Sequence, residues 1–140
     1  MPVVKKTCRG RRWDKIFNAV ADMMQHNDAS HDLYHVQRVI HNADKILETV
    51  QWAARDDELV RVVALCHETC DSKYVQSKSD SVAALRAHLE SAHFPPGFVD
   101  VACEVVPRLS FSKRLVHGAP DFSTDRARRV YELVSDADYL

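Results

Sequence analysis

Apolar residues recur along most of the chain in steps of three and four, the spacing that places side chains on one face of an α-helix. The clearest stripe comprises Leu33, Val36, Ile40, Ala43, Leu47 and Val50. Similar stripes predict further helices over about residues 13–25, 57–70, 79–92 and 98–108, and a last helix from Ser123 or Thr124 to the chain end. The pattern therefore predicts an all-α bundle of about six helices.

The composition agrees with long helices and few turns, because only three glycines and five prolines occur among 140 residues. Residues 1–12 contain five basic side chains and no acid, and we expect them to form a basic N-terminal tail. Residues 13–140 are long enough to build one helical domain without disulfides. The last helix is still in full period at Leu140, which fits either a natural end or truncation of a longer protein.

Net charge, hydropathy and cysteine content limit which binding partners and which cellular compartment are expected. The net charge of −1 argues against a protein that binds nucleic acid through bulk electrostatics, and no specific nucleic-acid partner is expected. No apolar run approaches the length of about 18 residues that a membrane span needs, so no membrane partner is expected. Without a signal peptide ahead of the four cysteines, we expect reduced thiols in the cytoplasm, with Cys66 and Cys103 buried. The sequence leaves the oligomeric state open.

Four polar residues lie at the margins of the predicted buried stripes, where packed helices can bring side chains together. They are His35, His67, Glu68 and Asp138. Two imidazoles and two carboxylates make a mixed nitrogen and oxygen site, which suits a divalent ion such as Mn, Fe, Mg or Zn. Spacing alone does not show that the helices meet at these points.

Three stretches resemble, in order, the motifs of the HD superfamily of metal-dependent phosphohydrolases: "HDLYHVQRVIHNADKI", "VVALCHETCDSKY" and "ELVSDADYL". The last is similar to the Asp-Ala-Asp motif of small bacterial-type HD hydrolases. The resemblance covers nearly all of the chain after the first helix. It implies an HD-type helical fold, a bound divalent metal and hydrolysis of a phosphate ester or anhydride in a nucleotide or other small phosphorylated compound.

The resemblance also implies metal ligands. His35 matches the first histidine ligand of the family, and His67 matches the histidine of the family's His-Asp pair. Asp138 matches the final aspartate ligand. Asp136 is its competitor, but it lies further from the buried stripe of the last helix.

Two further positions match catalytic features that follow the family's His-Asp pair. Asp71 matches the acidic position, from which a carboxylate can orient or deprotonate an attacking water. Lys73 matches the basic position, from which an ammonium group can pair with a phosphate oxygen. We expect both side chains to face the metal.

Glu68 departs from the family pattern, because it stands where the His-Asp pair has aspartate. Its extra methylene is expected to push the carboxylate outward or to shift the helix. The metal site would then be looser than usual, and Glu68→Asp would bind metal more tightly. The opposite expectation is that the neighbouring residues have adjusted to glutamate, so that aspartate would fall short of the ion.

Three alternatives compete with the phosphohydrolase interpretation. A zinc protease motif would need histidine at position 71, where this chain has Asp71, so that motif fails. Cys66, His67 and Cys70 could form a thiol zinc site, but both thiols lie on the apolar stripe, which favours core packing. The third alternative is a degenerate HD fold with a weakened metal site that acts as a binding or regulatory module.

Overall fold

The computed structural model describes residues 10–24, 33–70, 77–109 and 120–139. These residues form six α-helices, and no strand occurs among them. The helices are α1 (Arg11–Met24), α2 (Leu33–Val50), α3 (Ala54–Cys66), α4 (Lys78–Ser91), α5 (Pro96–Val105) and α6 (Asp125–Tyr139). A single 3₁₀ turn, Val106–Arg108, follows α5. The predicted all-α bundle of about six helices is confirmed.

Helix α3 lies at the centre of the bundle. It packs against α1, α2, α5 and α6, and every residue from Leu59 to Cys66 is buried. Arg61 belongs to that run and is fully buried, with its Nε hydrogen-bonded to the Asp44 carboxylate of α2. From Leu59 onward α3 is enclosed on all sides and has no solvent face, which is why its buried residues exceed the stripe that the periodicity predicted.

The outer helices bury one face each, as the periodicity predicted, with two exceptions. In α2 the stripe residues from Val36 to Leu47 are buried, while Val50, at the last position of the helix, is 39% exposed. In α1 Met24 is buried, but its apolar neighbour Met23 is 37% exposed. Adjacent residues of a helix point about 100° apart, so only one of these two methionines can lie on the stripe.

Several helix ends differ from the predicted bounds. Helix α1 begins at Arg11 rather than residue 13, and Arg12, a residue of the predicted tail, binds Glu58 of α3 at 3.0 Å. Helix α3 ends at Cys66 instead of residue 70, and a turn follows. Helix α6 begins as expected, since the Thr124 hydroxyl accepts a hydrogen bond from the Ala127 N–H at 3.1 Å.

Two helix ends are closed without glycine. Gln51, after α2, has a φ of 53°, and His93, after α4, has a φ of 68°. Glycine is the residue that usually adopts this left-handed conformation at a helix end. The chain has only three glycines, and at these two helix ends a residue other than glycine adopts the left-handed conformation.

None of the helices described is long and apolar enough to cross a membrane.

Candidate metal centre

Three helix ends bring the predicted ligand residues together. His35 lies in the first turn of α2, His67 caps the C-terminal end of α3, and Asp138 lies in the last turn of α6. The closest possible ligand atoms of these three side chains all lie within 4.8 Å of one another. The predicted convergence of the three residues is therefore present in the fold.

Local hydrogen bonding orients the His67 ring. Its Nδ1–H donates to the Ala64 carbonyl oxygen at 2.6 Å, one turn back in α3. That bond places the ring proton on Nδ1 and leaves the lone pair on Nε2 directed at the cluster. The Nε2 atom is buried and makes no hydrogen bond of acceptable geometry within the described part of the chain. A backbone carbonyl that fixes the other ring nitrogen in this way is the usual partner of a metal-binding histidine.

Glu68 adds a fourth donor atom to the cluster. Its Oε1 lies 3.1 Å from His67 Nε2 and 3.7 Å from His35 Nε2. The Oδ1 of Asp138 lies 3.0 Å from His35 Nε2 and 3.6 Å from His67 Nε2. Glu68 Oε1 and Asp138 Oδ1 thus each face the Nε2 atoms of both histidines.

These separations fit a common metal ion. With ligand bonds of about 2.1 Å, two donor atoms are roughly 3.0 Å apart at a right angle and roughly 3.4 Å apart at the tetrahedral angle. The four nitrogen–oxygen distances of 3.0, 3.1, 3.6 and 3.7 Å bracket these values. The donors also match in kind, because two imidazoles with two carboxylates suit Mn, Fe or Zn.

The electrostatics of the cluster favour a positive charge at its centre. Burial alone lowers the pKa of His67, but the carboxylates of Glu68 and Asp138 more than offset this, and the pKa of His67 is raised from 6.5. The C-terminal ends of α3 and α6, which carry partial negative charge, meet here with the N-terminal end of α2, which carries partial positive charge. A proton on His67 or a bound cation would each balance part of the negative charge of these carboxylates.

The cluster is closed on one side and open on the other. The side chains of His67 and Glu68 are 2% and 6% exposed, whereas those of His35 and Asp138 are 16% and 35% exposed. The Asn42 amide donates to the Ala137 carbonyl at 3.1 Å and ties the end of α6 to α2. Solvent or a ligand can therefore approach from the side of His35 and Asp138.

The structure separates the two candidate aspartates of α6. Asp138 contributes to the cluster, while Asp136 is exposed on the outer face. Asp71 and Lys73, the predicted catalytic residues, lie outside the described residues, so their role stays a prediction. Asn42 and Arg38, to which the sequence analysis assigned no role in the site, lie about two turns and one turn after His35 on α2, and this spacing was the available signal.

The three cysteines among the described residues provide no competing site. Cys66, Cys70 and Cys103 are buried free thiols, which confirms the predicted burial of Cys66 and Cys103. Burial raises the pKa of the Cys66 thiol and disfavours the thiolate that zinc requires. The group of residues with metal-binding geometry in the described part of the chain contains His35, His67 and Asp138 and no cysteine.

Comparisons of the chain with profiles of protein families, with curated proteins and with solved structures found no match.

Proposed function

We propose that this protein is an HD-type phosphohydrolase that uses a divalent metal ion to hydrolyse a phosphate ester or anhydride bond in a nucleotide or similar small phosphorylated compound. The observation that carries the proposal is the arrangement of His35, His67 and Asp138, whose ligand atoms lie within 4.8 Å of one another, with Glu68 beside them. The four nitrogen–oxygen distances in this cluster are 3.0 to 3.7 Å. The order of the three HD-like motifs along the chain supports the same assignment.

Phosphate hydrolysis needs an activated water and a sink for negative charge. A divalent ion held by this cluster would lower the pKa of a bound water and bind phosphate oxygens. His67, fixed by its bond to Ala64, offers a preset nitrogen donor, and His35 and Asp138 form the accessible side where a substrate can enter. In this proposal Asp71 orients the attacking water and Lys73 pairs with the phosphate.

The setting is proposed to be the cytoplasm, where thiols stay reduced. The free state of Cys66, Cys70 and Cys103 is consistent with it. The proposed divalent ion is Mn, Fe, Mg or Zn.

Titration of the purified protein with Mn²⁺ by calorimetry, followed by a screen of nucleotides and small phosphate esters with and without added Mn²⁺, tests the proposal. We expect metal binding and metal-dependent release of phosphate or pyrophosphate. His67→Ala should abolish both while nearly preserving the helical circular dichroism, because the residue lies at the end of α3 and not within it.

His88→Ala is the matched control, since His88 is an exposed histidine of α4 that belongs to none of the three motifs. It should bind Mn²⁺ and turn over substrate like the wild type. Equal activity of His67→Ala, or full wild-type activity in excess chelator, would contradict the proposed chemistry. Metal binding without turnover of any phosphate compound would favour the alternative of a degenerate HD-fold binding or regulatory module.

A further inference from the structure

Arg38 lies beside the metal centre on α2, one helical turn after His35. One terminal nitrogen of its guanidinium group lies 3.4 Å from His35 Nδ1, on the opposite side of the ring from the cluster. The side chain is exposed, and no carboxylate within residues 10–24, 33–70, 77–109 and 120–139 forms an ion pair with it. Arg61 and Arg126, by contrast, each bind an aspartate on a neighbouring helix.

The net charge of the metal-loaded site favours a nearby cation as a ligand for phosphate. Two neutral imidazoles and two carboxylates carry a charge of about −2, which a divalent ion cancels without leaving any surplus positive charge. An incoming phosphate group carries about −1.5 to −2 at pH 7. In the proposed function the metal ion and Lys73 would bind its oxygens, and a further cation beside Asp138 and Glu68 would offset the negative charge of these two carboxylates. A guanidinium group suits this role, because its planar donors bind two phosphate oxygens at once.

The hydrogen bonds of His35 couple this cation to the metal. An arginine only donates, so the contact with Arg38 requires His35 Nδ1 to accept, and the ring proton then sits on Nε2 and donates to Asp138 Oδ1 at 3.0 Å. A metal bound at Nε2 needs the proton on Nδ1 instead. Nδ1 then becomes a donor and can no longer accept from Arg38, so the guanidinium group is released.

We propose that Arg38 binds the phosphate group of the substrate, and that metal binding at His35 frees it to do so. This inference rests on the proposed function and assigns a substrate-binding residue to the same site. It also implies an order, in which the metal binds before the phosphate group.

Calorimetry with Mn²⁺ and with inorganic phosphate tests the inference in the wild type, Arg38→Gln, Arg38→Lys and the control Arg55→Gln. Arg55 is an exposed arginine at the start of α3, so its substitution removes the same charge away from the site. We expect Mn²⁺ affinity to stay within about threefold in all four proteins. Phosphate affinity of the Mn²⁺-loaded protein should fall on the order of 10- to 100-fold in Arg38→Gln, the usual size for a hydrogen bond to a charged group.

Arg38→Lys should restore part of that affinity, because it keeps the charge and loses the planar pair of donors. Arg55→Gln should match the wild type, and phosphate should bind the wild type far more weakly in chelator. Unchanged phosphate affinity in Arg38→Gln would overturn the inference and leave the proposed function intact. A loss of Mn²⁺ affinity in Arg38→Gln would also overturn it, since Arg38 would then merely position His35. A wild type that binds no Mn²⁺ would overturn the proposed function, and this inference with it.

Discussion

Shortening Glu68 to aspartate is expected to weaken metal binding, although aspartate is the residue that HD proteins carry at the matching position. The Oε1 of Glu68 already lies at the same range of distances from the two imidazole nitrogens as the Oδ1 of Asp138, and its side chain is only 6% exposed. The extra methylene has therefore not pushed the carboxylate outward. Helix α3 ends at Cys66, so Glu68 belongs to a turn, and the longer side chain spans the gap from that turn to the cluster.

The size of the effect follows from this geometry. Removing one methylene shortens the side chain by a carbon–carbon bond of about 1.5 Å, and the oxygen retracts by roughly 1.2 Å. A metal–oxygen bond of about 2.1 Å would stretch beyond 3 Å and be replaced by water. Losses of supporting groups at metal sites commonly cost 10- to 100-fold in affinity. We therefore expect Glu68→Asp to bind Mn²⁺ about 10- to 100-fold more weakly, or about 1.4 to 2.8 kcal/mol.

Calorimetric titration of the wild type and Glu68→Asp with Mn²⁺ at one pH measures the difference. Glu48→Asp is the matched control, because Glu48 is an exposed glutamate of α2, and its affinity should equal that of the wild type. Equal or tighter binding by Glu68→Asp would refute the reasoning. The site would then have retained the geometry of an aspartate ligand, as expected for a metal centre that glutamate has weakened.

Two further predictions concern pH and the core. The pKa of His67 is raised above 6.5, so its charged form stabilises the metal-free protein below about pH 6.5, and this contribution is lost as the pH rises through the raised pKa. Mn²⁺ must displace that proton, so its affinity should fall by up to about tenfold per pH unit on acidification, as titrations at several pH values would reveal. Asp44→Ala removes the carboxylate that binds the fully buried Arg61 and should cost about 3–5 kcal/mol in urea unfolding, whereas Asp100→Ala, in an exposed pair, should cost at most about 1 kcal/mol. Equal losses in the two variants, or pH-independent Mn²⁺ binding, would contradict these expectations.

Periodicity predicted the helices well wherever one face of a helix meets solvent. The stripe of α2 and the inward residues of α6 follow the spacing of three and four residues, and the structure buries them with the exception of Leu33, which is partly buried, and Val50, which is exposed. Periodicity predicted α3 as a helix with one buried stripe, but it did not predict that every residue from Leu59 to Cys66 is buried, because four other helices pack against α3. Arg61 shows the limit most clearly, since an arginine is expected at the surface and its burial depends on Asp44, a residue of another helix.

The candidate site depended on a different kind of signal. Helical spacing placed His35, His67 and Asp138 beside buried stripes, and it separated Asp138 from Asp136 because their directions around α6 differ by about 200°. Spacing cannot tell whether three helices meet at one point, because that depends on their crossing angles and end positions. The order of motifs supplied that expectation, and the turn that brings Glu68 inward was not predictable from either signal.

The cluster is difficult to explain as a purely structural feature. A structural ion pair needs one cation and one anion, as in Arg61 with Asp44. Here two carboxylates face two imidazoles where the C-terminal ends of α3 and α6 meet the N-terminal end of α2. Burying two carboxylates together costs free energy unless a positive charge lies between them. The raised pKa of His67 has the same cause, because the neighbouring carboxylates favour its protonated form. Polar clusters that destabilise the metal-free protein are expected at functional sites. A divalent ion would bring two positive charges to this cluster, whereas protonation of His67 brings only one.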